Sequence, residues 1–305
     1  MSQSTHLRLG TRGSRLALVQ AELVAAALRE KAGVECEIVT VKTSGDRIQD
    51  RPLAEAGGKG LFVKELEEAL LDGRIDFAVH SLKDLPADLP DGLCLAACLP
   101  REVPFDALVM PKGRTAEDLP AAAVIGTSSV RRVAQIRRAY PAARTVLLRG
   151  NVDTRLAKLD AGQFDATLLA CAGLRRLGLE ARVTQVLTDW LPALAQGAVG
   201  LETRQGDRVL SVLAKINDAK SFVEVCCERG FQLGLGGSCR SPIAGLARAE
   251  ADRLTFRGEV LAPDGSAFVE TSFAMPLFGP DAAAAAAEAG REAGLALRPR
   301  ALRWL

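Results

Sequence analysis

Val124-Ile125-Gly126-Thr127-Ser128-Ser129-Val130-Arg131-Arg132 is an apolar run that gives way to hydroxyls and then to a helical pattern reaching about residue 139. The next segment has the same form. Thr145-Val146-Leu147-Leu148 leads through Arg149-Gly150-Asn151 into a helix over about 152–159, and residues 166–170 lead into another from Ala172. Strand followed by helix, three times in succession, predicts an α/β unit. The stretch also concentrates charge: seven arginines lie from Arg131 to Arg155 against one acid, Asp153, although the whole chain carries 39 basic and 37 acidic residues. Two cations in the first turn of a helix conflict with its exposed amide end, which favours negative charge. A bound carboxylate or phosphate resolves the conflict and gains charge-assisted bonds from both sources. Thr127, Ser128, Ser129, Arg131 and Arg132 are therefore read as one anion-binding loop, and Arg149, Gly150 and Arg155 as its repeat. Arg137, Arg138 and Arg144 are read as surface residues.

Outward from this unit the pattern continues in both directions. Towards the N-terminus, strands are expected at 7–10, 34–41 and 75–80, with helices from Ser14 to residue 30 and over 61–71. Pro86, Pro90, Pro100 and Pro104 punctuate the connection to the second unit, with 93–97 extended between them. Towards the C-terminus, 198–202 is read as a strand returning to the first unit, followed by helices over 207–216 and 218–231. The pattern then becomes strands at 243–246, 254–260 and 267–270, with Pro263-Asp264-Gly265 a turn and an alanine-rich helix over about 281–293. The fold class expected is α/β: domain 1 from 1–100 and 192–217, domain 2 from 101–191, and a small α+β domain 3 from 218–305. Two α/β units make a natural cleft.

Composition narrows the function. Among 305 residues, 48% are hydrophobic and 25% charged, as in an ordinary soluble globular protein. No 18-residue apolar stretch lacks charges, so no membrane span or membrane partner is expected. MSQSTHLRLGTRGSRLALVQ has no export pattern, and seven irregularly spaced cysteines suit a reducing compartment. Together these predict a cytoplasmic location. Near-neutral charge and 4% aromatics give little support for nucleic-acid binding.

Chemistry-bearing residues cluster where strands end. Arg12 follows the first strand, where ligands commonly meet open α/β sheets. Ser81, Lys83 and Asp84 follow the strand at 75–80, and Asp84 is the candidate acid: a carboxylate can protonate a leaving group and then stabilise the cation left behind. Gly57-Gly58-Lys59 lacks nucleotide-loop spacing and reads as a mobile active-site segment. Cys239 sits in Gly236-Gly237-Ser238-Cys239-Arg240, where flexibility and a cation favour an exposed thiolate. It is a covalent attachment point, a nucleophile or an unreactive turn cysteine. No cysteine spacing suggests a metal site.

Taken in order, Thr11-Arg12-Gly13-Ser14, Gly57-Gly58-Lys59-Gly60-Leu61-Phe62, Val79-His80-Ser81-Leu82-Lys83-Asp84-Leu85-Pro86, the two arginine loops, Ala172-Gly173-Leu174-Arg175-Arg176-Leu177-Gly178 and Ser238-Cys239-Arg240-Ser241-Pro242 resemble the porphobilinogen deaminase (hydroxymethylbilane synthase) family over essentially the full chain. The resemblance implies two periplasmic-binding-protein-like domains, a third domain and a monomer. It implies a dipyrromethane cofactor held by a thioether to Cys239, on which four porphobilinogen molecules are condensed with release of ammonia before hydrolysis frees hydroxymethylbilane. Asp84 would assist ammonia loss and stabilise the azafulvene-like cation. Lys83, Asp84, Thr127, Ser128, Ser129, Arg131, Arg132, Arg149 and Gly150 would hold the cofactor; Arg12, Ser81, Arg149, Arg155, Arg176 and Gln196 would hold substrate. Three positions depart from the common pattern: Gly236 for an acid, Ala195 for a glycine and Val103 for an aspartate. A non-enzymatic binding protein for an organic polycarboxylate is the competing expectation; it leaves Cys239 unexplained.

Overall fold

The computed structural model describes residues 6–44, 63–236, 241–277 and 279–305. The first unit opens with β1 (His6–Arg12), α1 (Arg15–Ala32) and β2 (Glu35–Val41), and continues with α2 (Lys64–Leu71), β3 (Phe77–Ser81) and β4 (Leu93–Cys98). Ser14 caps α1 as expected, its Oγ accepting from Ala17 N at 3.3 Å. Gly33 ends the helix in the left-handed conformation, φ 66°. Between them Ala21, Val24 and Leu28 recur at helical spacing and bury one face against Leu7, Leu9 and Phe77 of the sheet.

The second unit holds β5 (Asp106–Val109), β6 (Val124–Gly126), α3 (Val130–Ala139), β7 (Arg144–Val146), α4 (Val152–Asp160), β8 (Ala166–Ala170), α5 (Cys171–Arg176) and β9 (Gln185–Val186). β10 (Val199–Arg204) returns to the first sheet, as its sequence suggests. The two five-stranded sheets have matching layouts, β2-β1-β3-β10-β4 and β7-β6-β8-β5-β9. In each, three parallel strands are followed by one antiparallel strand in fourth place, β10 or β5. β5 was not expected. Its four apolar-bounded residues lie between Pro104 and Pro111, too short a run to show a period, and pairing with β8 and β9 makes it a strand.

The third unit follows α6 (Val209–Leu213). It contains α7 (Ala219–Leu235), the antiparallel strands β11 (Ile243–Glu250), β12 (Arg253–Leu261) and β13 (Phe268–Pro276), and α8 (Ala282–Ala301). α6 is shorter than its sequence pattern, giving way to a 3-10 turn over Ala214–Ile216. α8 is longer than expected and runs past Pro299, because Leu297 and Ala301 are buried in the third core. The alanines and glycines of α8 serve close packing. A Cβ on Gly230 would stand 2.0 Å from Ala287 O, and one on Gly290 would stand 2.1 Å from Cys227 O, so the two backbones touch.

The chain passes between the first two sheets twice, over 99–105 and 187–198. The passages run side by side, with Glu102 N donating to Gly197 O at 3.2 Å. Gly197 is at φ 90°, and a Cβ there would lie 2.4 Å from Glu102 O, so only glycine fits this crossing.

Candidate active site

β1 and β3 end side by side, and this register carries Arg12 and Ser81 to the same edge of the sheet. A cavity of about 70 Å³ opens there, lined by Arg12, Ser14, Gln20, His80, Ser81 and Asp84 with apolar groups from Val63 and Val79. Gln20, on the buried face of α1, fixes Ser81 by donating from Nε2 to Oγ at 2.9 Å. Below the cavity His80 Nε2 lies 2.9 Å from Glu202 Oε2, both side chains buried, so His80 is a hydrogen-bonded residue at the end of β3. Lys83 and Asp84 form a 3-10 turn whose buried Leu82 pins it to the core while both charged groups face solvent. The Lys83 ammonium reaches Gln196 Oε1, to which it donates at 3.3 Å. Loss of hydration there, with the charges of Arg132 and Arg131, outweighs the attraction of Asp84 and Asp106 and pushes its ammonium down to about 8.

The two arginine loops come from the second sheet. Ser129 caps α3, its Oγ accepting from Arg132 N at 3.4 Å, and Thr127 Oγ1 accepts from Ser129 N at 3.2 Å. These hydroxyls thus serve the helix start, while Ser128 stays half-buried beside them. Asn151 caps α4 in the same manner. Gly150 before it takes φ 114°, and a Cβ would sit 2.7 Å from Thr154. The turn places Gly150 O to accept from Arg155 Nε at 2.9 Å. Burial, with Arg132 and Arg149 nearby, lowers the Arg155 guanidinium to about 10 against the pull of Asp84. Five cations, Lys83, Arg131, Arg132, Arg149 and Arg155, therefore act on one another across the cleft, tempered by the carboxylates Asp84 and Asp106. Arg176, at the end of α5, donates to Gly197 O at 2.7 Å and so holds the second passage.

Arg131 and Arg132 are not solvated. Both are buried on Asp106, at 2.8 and 2.6 Å. Burial alone would raise the Asp106 carboxyl, but the two guanidiniums hold it well below the usual carboxylate range. Arg131 also donates to Gln135 Oε1 at 2.8 Å and Arg132 to Leu168 O at 2.7 Å. The Nε–H of each remains buried without an acceptor. Two unmet, positively charged donors fit the carboxylates of an acidic ligand. Gln196, expected among substrate contacts, is fully buried, its Nε2 donating to Pro104 O at 2.7 Å and to Asp106 Oδ1 at 2.9 Å. Sequence reasoning missed Asp106, Gln20 and Glu202. A lone acid opening the run Phe105-Asp106-Ala107-Leu108-Val109 was the available signal.

Gly57, Gly58, Lys59 and Cys239 lie outside the described residues. Gly236 lies just before the latter and is the left-handed cap of α7, φ 68°, a conformation that glycine takes without strain. Ala195 takes φ 58° with its methyl buried among Val63, Leu82 and Ala198. Val103 packs in the second core, its N–H donating to Glu102 Oε1 at 2.9 Å. Among the described residues there is no cluster able to hold a metal ion and no helix long and apolar enough to cross a membrane.

Comparison with known proteins shows the family. Residues 7–211 match the family model "Porphobilinogen deaminase, dipyromethane cofactor binding domain", and residues 222–298 match "Porphobilinogen deaminase, C-terminal domain". Porphobilinogen deaminase of Nitrobacter hamburgensis is 50% identical over 299 residues, covering 96% of this chain and 93% of that protein. That of Nitrobacter winogradskyi is 48% identical over the same shares. Among solved structures, a periplasmic substrate-binding protein of an ABC transporter from Coxiella burnetii is 13% identical, with TM-score 0.44 over 70% of this chain and 92% of its own. The periplasmic VFT2 domain of Bordetella pertussis BvgS is 17% identical, with TM-score 0.42 over 71% and 88%. The sequence matches cover nearly the whole molecule: the chain belongs to the porphobilinogen deaminase family.

Proposed function

We propose that Asp84 is the proton-transferring carboxylate of this enzyme and that Lys83 and the cations across the cleft grip its acidic substrate and cofactor. The activity is that of its family: four porphobilinogen molecules are condensed in turn on a dipyrromethane primer, four ammonia molecules leave, and hydrolysis frees hydroxymethylbilane. The convergence of Lys83, Arg131, Arg132, Arg149 and Arg155 beside Asp84 carries the assignment. Every pyrrole unit brings an acetate and a propionate, so bound negative charge grows with each addition and needs an excess of guanidinium groups.

When bound, the dipyrromethane supplies the carbon to which each new unit is joined. The residues present fit it: the unmet Nε–H donors of Arg131 and Arg132 are suited to its carboxylates, with Lys83 and Arg149 beside them. Cys239 is the proposed attachment point, through a thioether. Asp84 donates a proton to the departing amine and then, as a carboxylate, stabilises the positive charge left on the substrate. Arg12 and Ser81, on the cavity wall, hold the incoming substrate together with Arg155 and Arg176. Thr127, Ser128, Ser129 and Gly150 shape the loops that present the arginines. Gly57, Gly58 and Lys59 are proposed to belong to a mobile segment.

The divisions 1–100 with 192–217, 101–191 and 218–305 are proposed as the three domains, and the chain as a cytoplasmic monomer. Intact-mass measurement of the purified protein tests the attachment: an increment equal to dipyrromethane is expected and is lost in Cys239→Ser. An unmodified Cys239 in active enzyme overturns it. Asp84→Asn is expected to keep the increment and lose at least about 100-fold in turnover; normal turnover would sink the acid's role.

A further inference from the structure

Lys83 and the Arg131–Arg132 pair belong to different sheets, yet a continuous set of hydrogen bonds joins them. Lys83 Nζ donates to Gln196 Oε1 at 3.3 Å, Gln196 Nε2 donates to Asp106 Oδ1 at 2.9 Å, and Asp106 binds both guanidiniums. Of its middle members, Gln196 lies in the second passage and Asp106 opens β5, directly after the first. Gln196 also binds Pro104 O at 2.7 Å, so one side chain ties the second passage to the first. Both Gln196 and Asp106 are buried.

We propose that Gln196 and Asp106 are positioning residues, forming a relay through the interdomain passages that sets the placement of Lys83 relative to the Arg131–Arg132 pair and thereby the rate of turnover. The inference rests on the assignment of Lys83 and the arginines to substrate and cofactor binding. Its physical basis is directional. An amide offers an acceptor to the ammonium and a donor to the carboxylate at the same time, and no apolar or singly functional side chain of that length does both. Asp106 in turn neutralises part of a doubly charged pair that would otherwise repel Lys83 from the opposite side of the cleft. The charged groups facing Lys83 are Asp84 on its own turn, Arg131 and Arg132 from α3, and Asp106 from β5. Placement of charged groups matters because misplacement of about 1 Å costs up to about 100-fold in rate.

The test uses the full-length holoenzyme with Gln196→Met and Asp106→Asn. Two quantities are read: kcat and KM for porphobilinogen, and the pH midpoint for acylation of Lys83 by acetic anhydride, followed by peptide mass. Gln196→Met is expected to lower kcat about tenfold while the dipyrromethane mass increment is retained, and to move the Lys83 midpoint downward by the loss of its acceptor. Asp106→Asn removes a negative charge and is expected to move the midpoint further in the same direction. If Asp106→Asn does not fold, Gln196→Met, which leaves the buried ion pair whole, decides the matter. An unchanged kcat or an unchanged Lys83 midpoint in folded Gln196→Met overturns the relay. Asp84→Asn, run alongside, separates the outcomes: if that variant turns over normally, the assignment beneath the relay fails instead.

Discussion

At the residue scale, Lys83 and Glu67 are among the titratable groups displaced from their ordinary ranges, and each makes a measurable claim. Loss of hydration and the neighbouring guanidiniums push the Lys83 ammonium down to about 8, so its amine is more readily neutral at pH 8 than that of an ordinary surface lysine. Limited acetylation at pH 8 is expected to modify Lys83 ahead of Lys31, Lys42 and Lys64, and a rank no higher than theirs would refute the lowered ammonium. Glu67, on α2 next to the His80–Glu202 pair, is raised to about 7 by burial and by the Glu202 charge, against the pull of His80. A raised carboxyl makes the folded state less stable as pH climbs from about 4.5 to 7, because the unfolded chain then ionises more easily. Glu67→Gln is therefore expected to stabilise the protein by about 2 kcal/mol at pH 8 and by little at pH 4.5 in urea titrations. Ala195 shows two effects in opposition. Its left-handed backbone costs about 1 kcal/mol, yet its buried methyl returns about 0.8 kcal/mol, and glycine would loosen the unfolded chain. Ala195→Gly is expected to lower stability by about 0.5 kcal/mol despite relieving the backbone.

At the element scale, the glycines of α7 and α8 replace the usual side-chain interdigitation by backbone contact. Gly230→Ala drives a methyl into Ala287 O and is expected to cost about 3 kcal/mol in denaturant unfolding; Gly279→Ala, with nothing near its Cβ, separates this from the general effect of losing a glycine, though its φ of 73° adds some strain. Helices that start on a side-chain cap were the most legible in sequence. α1, α3 and α4 begin at Ser14, Ser129 and Asn151, because a side-chain cap is a local bond that needs no partner from elsewhere. β5 was not legible, since four residues acquire strand character only from β8 and β9. The site divides along the same line. Asp84 and the arginine loops stand out because their chemistry is written in contiguous motifs. Asp106 and Gln196 do not: their meaning lies in one another, 90 residues apart. The arginines' buried state was likewise invisible while their only near acid in sequence was Asp153, which instead meets Arg15 at 3.1 Å across the rim. That exposed pair is worth at most about 1 kcal/mol.

At the scale of the whole molecule, the order of strands constrains how the protein can be made. Among the described residues β4 pairs only with β10, yet β4 ends at Cys98 and β10 begins at Val199. All strands of the second sheet lie between, within 106–186. On the ribosome β4 therefore emerges as an unmated edge and stays so until the entire second sheet has been translated, a hazard for aggregation. The second sheet, with its contacts closer in sequence, closes first. Pulsed amide exchange during refolding is expected to protect Leu168 and Leu169 before Leu95 and Leu201; simultaneous protection would contradict it. The cleft, in that account, is the last part of the enzyme to come into being, because one of its walls waits for a strand that the chain delivers only after finishing the other.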